Sequence, residues 1–110
     1  MNRIFFFFLL GSFFAVSAQD FQTPLQKNGY TRPSSYEELS DFVKQMDASS
    51  ALLTVETAGK SVQGMNIYAM KFSSSVFGKD KSRIRVLLFA QQHGNEQSGK
   101  DGALLLALEL

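Results

Sequence analysis

The 110-residue sequence has no cysteine, no tryptophan, two prolines and a single histidine. Without cysteine there is no disulfide framework, no thiolate nucleophile and no Cys-based zinc site. Stability must therefore come from a packed apolar core, and a chain of this length can supply one for at most one small domain. Excess charge of one sign is missing too: eleven Lys and Arg face ten Asp and Glu, a formal net charge of +1. The basic cluster from Lys79 to Arg85 is interleaved with Asp80, Ser82 and Ile84. That balance argues against nucleic acid or an anionic membrane surface as the partner.

Other machinery is absent as well. Gly94, Gly99 and Gly102 precede an apolar stretch, but their spacing fits neither the dinucleotide fingerprint nor the Walker loop, so no phosphate cradle is expected. Ser73 to Ser75 offer hydroxyls without a Gly-x-Ser-x-Gly elbow, and any local triad would have to recruit His93. There is no internal repeat.

The longest apolar run, Ile4 to Val16, is broken by Gly11 and Ser12 and falls short of the roughly 20 residues that span a bilayer. Arg3 precedes it and the small residues Val16-Ser17-Ala18 follow, the three-part pattern of an export signal. Residues 1–18 are expected to be a signal peptide cleaved before Gln19. The mature product would be secreted or periplasmic, with no stable membrane anchor and no cysteine near the cut to carry a lipid.

Residues 19–33, punctuated by Pro24, Gly29 and Pro33, show no apolar period and read as an extended lead-in. Ser35-Tyr36-Glu37-Glu38 then has the Ser-x-x-Glu form of a capping box. Tyr36, Leu39, Phe42, Val43 and Met46 recur at three- and four-residue steps, predicting a helix that ends between Asp47 and Ser50, with Glu37, Asp41 and Lys44 facing water. Leu52 to Thr57 and Met65 to Phe72 read as an antiparallel hairpin joined through Ala58-Gly59-Lys60-Ser61, with a bulge expected at Gly64. Ile84 to Ala90 is a nearly unbroken apolar run, the pattern of a central strand buried on both faces. After Gly99 to Gly102, the run Ala103 to Leu110 predicts a helix packed on a sheet. It reaches Leu110 without a stop signal, which reads as a cut inside a longer polypeptide.

His93 and Glu96 fall between that strand and that helix, where open α/β sheets form their ligand crevices. Imidazole and carboxylate both ligate zinc, and donors three residues apart in a turn can reach one ion, Gly94 helping the chain to bend. Spacing alone leaves the alternative open that His93 is an exposed loop histidine bound to water.

The run Gln92-His93-Gly94-Asn95-Glu96, with Gly99 and a leucine-rich helix behind it, resembles the first zinc-binding segment of the zinc-dependent metallocarboxypeptidases, the carboxypeptidase A-like superfamily, in its His-Gly-Asn-Glu branch. The capped helix, the strand, the Gly59-Lys60-Ser61 turn, the second strand and the apolar run before His93 follow the family's order, so the resemblance covers nearly all of the mature chain. It implies an α/β fold, a mixed β-sheet flanked by helices, with residues 34–110 as the N-terminal part of a peptidase catalytic domain. It also implies Zn2+ as cofactor, His93 and Glu96 as its first two ligands, and peptide or protein C-termini as substrate. The third ligand, a histidine, and the general base, a glutamate, would come from further along a polypeptide of about 300 residues. No catalytic residue is therefore expected within this chain, which alone should be inactive.

Two departures mark the branch. Gly64-Met65-Asn66 lacks an arginine that the family often has after the glycine, and Asn95 replaces the arginine of the digestive enzymes, so a digestive-type pocket is not implied. A zinc deacylase of the aspartoacylase or succinylglutamate desuccinylase type has a similar segment and is the alternative enzyme. A truncated secreted domain that binds no metal is the non-enzymatic one.

Overall fold

The computed structural model describes residues 21–110, so the expected signal peptide and its cleavage point lie outside the described residues. Among the described residues no helix is long and apolar enough to cross a membrane.

The lead-in is not uniformly extended. Pro24–Lys27 forms a short helix, α1, capped by Thr23. The Thr23 hydroxyl accepts from Gln26 N at 3.3 Å and the Gln26 side chain accepts from Thr23 N at 2.8 Å, while Pro24 sits at the first helical position, where its missing N–H costs nothing. Gly29 and Tyr30 then turn the chain with φ of 67° and 61°.

Helix α2 spans Tyr36–Ser49, beginning at the expected box. Ser35 Oγ accepts from Glu38 N at 3.2 Å, and Glu38 Oε2 accepts from Ser35 N at 2.8 Å. Two donors that the helix geometry leaves without partners are thereby satisfied. The apolar stripe is confirmed, with Phe42, Val43 and Met46 buried and Leu39 packed beside them; Glu37, Asp41 and Lys44 are exposed.

Strands β1 (Leu53–Lys60) and β2 (Asn66–Phe72) pair antiparallel, from Leu53 against Phe72 to Lys60 against Asn66. The expected connection is corrected in two respects. The first strand continues through Gly59 and Lys60, and the turn is Ser61 to Met65, closed by Gly64 N to Ser61 O at 2.9 Å. The bulge falls at Ala58, the residue between Thr57, paired with Tyr68, and Gly59, paired with Ile67. Gly64 instead supplies the left-handed turn residue, φ 78°. Tyr36 pins the hairpin to the start of α2, its hydroxyl accepting from Asn66 N at 2.8 Å.

Ile84 to Ala90 forms no strand in the structure. A strand exists by pairing. The described ladder stops at Leu53–Phe72, and the polar loop after Phe72 does not return to either edge. Ile84, Val86, Leu87, Leu88 and Phe89 are all exposed.

Helix α3 spans Gln97–Glu109, starting six residues before the expected Ala103 and taking Gly99 and Gly102 into its body. Leu104 and Ala107 join Phe42, Val43, Met46 and Leu53 in one buried cluster, flanked by Phe21, Val55, Tyr68 and Met70. The architecture is thus α/β, with two main helices and a two-stranded antiparallel sheet contributing to a common core.

Candidate metal centre

The segment from Gln91 to Glu96 leaves the apolar run and enters α3 through one tight turn. Gln91 takes φ 55°, a left-handed conformation that costs a residue with a Cβ about 1–2 kcal/mol. Its side chain reaches forward, Nε2 donating to Gly94 O at 3.2 Å. The chain then closes on itself, Glu96 N donating to His93 O at 3.1 Å. An i to i+3 bond of this kind holds the two α-carbons within about 7 Å, near enough for both side chains to meet one ion. Gly94 lies in the turn without left-handed backbone, and a Cβ there would meet open space, so the bend is made by Gln91 rather than by the glycine.

Glu96 is the N-cap of α3, with φ −96° and ψ 64°, and its side chain makes no capping hydrogen bond. Serine, threonine, asparagine or aspartate would normally stand there and satisfy a free N–H. The carboxylate is thus left uncommitted and solvent-exposed, as is the imidazole of His93. The structure brings these two sequence-identified residues into one turn.

Imidazole nitrogen and carboxylate oxygen suit zinc, and two side chains on one turn fit half of a tetrahedral set. Among the described residues no group of three or more His, Cys, Asp or Glu could hold a metal. The donor pair suits zinc in chemistry and falls short of it in number.

Two polar residues behind the turn escaped the sequence reading. Lys100 and Asp101 are 7% and 3% exposed, rare burial for charged side chains. Both engage Ser34, the residue before the α2 cap. Ser34 Oγ donates to Asp101 Oδ1 at 2.5 Å, Ser34 N lies 3.3 Å from Asp101 Oδ2, and Lys100 Nζ donates to Ser34 O. The available signal was their spacing: Lys100, Leu104 and Ala107 lie at i, i+4 and i+7 on the buried face of α3.

Compared with known families, residues 39–110 match the model of the zinc carboxypeptidase family. The chain belongs to the zinc carboxypeptidase family. No curated protein matches it. The family match runs from the first turn of α2 to the last residue and takes in the whole His93–Glu96 turn. Zinc-dependent peptidase chemistry belongs to this family in general, and the α/β elements found here are compatible with part of its fold.

Proposed function

We propose that this chain is part of an exported zinc-dependent exopeptidase that hydrolyses C-terminal residues of peptides, and that His93 and Glu96 are two of its zinc ligands. In this reading residues 1–18 are the export signal and residues 34–110 the N-terminal part of the catalytic domain. The remaining zinc donor and the general base come from sequence outside these 110 residues. The family match supports the reaction class. The observation that carries the site is the turn itself: a helix N-cap occupied by a glutamate that does no capping, bonded through its backbone to the one histidine of the chain.

When bound, zinc supplies a Lewis acid and a water of lowered pKa. His93 would contribute an imidazole nitrogen to it and Glu96 a carboxylate oxygen. The backbone bond between them limits how far the two donors can separate.

The test is metal analysis and assay of a catalytic domain that contains these residues. One zinc per molecule, lost on His93→Ala or Glu96→Ala, and release of free amino acids from peptide C-termini are the expected results. Full zinc retention in both variants, or hydrolysis confined to small N-acyl amino acids, would contradict the reading.

A further inference from the structure

Each local contact within the His93–Glu96 turn begins and ends inside it, and residues 92–99 are exposed, so its placement must come from the element it feeds. That element is α3. Glu96 stands at its N-cap position, and a Cβ built on Gly99, in its first turn, would lie 3.7 Å from the backbone nitrogen of Gln91 where the loop begins. Both ends of the loop therefore meet the first turn of α3, and any movement of that turn carries the loop with it.

The first turn is poorly suited to hold its own position. Gly99 weakens it by about 1 kcal/mol relative to alanine, Gly102 weakens the turn that follows by a similar amount, and the N-cap gives no side-chain bond. What fixes it is the buried cluster on Ser34. Ser34 N and Oγ donate to the Asp101 carboxylate, Ser34 O accepts from Lys100, and the contact joins residues 66 and 67 apart in sequence. Burying charged groups is a weak route to stability, because desolvation offsets most of the attraction. It does specify one geometry, since three polar groups of a single residue are matched by two neighbouring side chains.

We propose that Ser34, Lys100 and Asp101 are positioning residues for the zinc turn: by clamping the start of α3 to the residue before the α2 cap they set where Glu96 and His93 present their donors. This rests on the reading of His93 and Glu96 as zinc ligands. Lys100 and Asp101 follow Glu96 by four and five residues on one continuous helix, so a rigid rise of about 1.5 Å per residue transmits their position to the turn. Groups that orient metal ligands in this way typically change metal affinity about 10- to 100-fold when removed.

The experiment is calorimetric titration of the full chain with Zn2+ alone, at neutral pH and well below the thermal midpoint of every variant, alongside thermal unfolding. Asp101→Ala should weaken zinc binding about 10- to 100-fold and Ser34→Ala about 10-fold, with Asp101→Asn, which keeps an acceptor for Ser34, falling between wild type and alanine. Should Asp101→Ala fail to fold, Ser34→Ala decides, since it leaves the Ser34 N bond in place. Lower melting temperatures with unchanged zinc affinity in Ser34→Ala and Asp101→Asn would reduce the cluster to a structural clamp and overturn the inference, provided His93→Ala has lost zinc. Unchanged affinity in His93→Ala would instead remove the zinc reading, and the positioning role with it.

Discussion

Glu96 N donates to His93 O at 3.1 Å, so the first residue of the candidate metal pair accepts from the N-cap of the helix that follows. The cap position is therefore given to a side chain that contributes nothing to the cap. A serine there would satisfy a free N–H of α3, and such a bond is worth about 1 kcal/mol.

Glu96→Ser should accordingly raise the stability of the chain by about 1 kcal/mol while weakening its zinc binding. Chemical denaturation and zinc titration of the same preparation check both halves. A variant that is less stable than wild type would show that the Glu96 side chain serves the fold instead.

Ser35→Ala should cost about 1 kcal/mol, because the serine oxygen that satisfies Glu38 N is lost while the Ser35 N to Glu38 bond can remain. The shift in urea midpoint measures it. Helix content recorded by far-ultraviolet circular dichroism should fall little below the transition.

The same Glu38 gives the chain an acid-sensitive contact. Arg32 donates to both its oxygens, at 2.8 and 2.7 Å, and with the Ser35 N–H this lowers its pKa from the ordinary 4.5 to about 2. A carboxyl depressed on folding stabilises the native state above its unfolded pKa, and the contribution is lost as pH falls from about 4.5 to about 2. The pair is exposed, so the effect is small and weakens with salt. Urea midpoints of wild type and Glu38→Gln, followed between pH 5 and pH 2, should converge as the pH falls.

Phe42 is 2% exposed and its ring centroid lies 5.7 Å from that of Phe21. Phe42→Ala should cost about 3–5 kcal/mol, comparable with the whole stability of a small domain. Loss of the cooperative thermal transition is the expected outcome. A midpoint within a few degrees of wild type would show that the cluster joining α2, β1 and α3 is not the principal core.

What the sequence made legible was local. The α2 capping box and its apolar stripe are written within a dozen residues, and both formed as expected. Thr23-Pro24-Leu25-Gln26 carries the same kind of box, but Pro24, Gly29 and Pro33 suggested only an extended lead-in. The hairpin was legible from composition and its bulge was not, because Ala58 has no glycine to mark it. For α3, glycine propensity placed the helix start at Ala103, whereas burial of Lys100 and Asp101 against Ser34 accompanies a helix running from Gln97. Ile84 to Ala90 has the composition of a buried strand, but composition does not supply a pairing partner. The His93–Glu96 pair was visible because both donors lie within four residues; the cluster on Ser34 was not, since it joins distant parts of the chain.

The most direct test of the central claim uses the fact that His93 is the single histidine of the chain. Zn2+ titrated into the full chain is followed on the imidazole ring resonances by nuclear magnetic resonance, in wild type and in Glu96→Gln. Joint ligation predicts a saturable change in the His93 ring signals whose midpoint moves at least about tenfold upward in zinc when Glu96 loses its charge. Identical titration curves for the two proteins, or ring signals that zinc leaves unmoved, would contradict it.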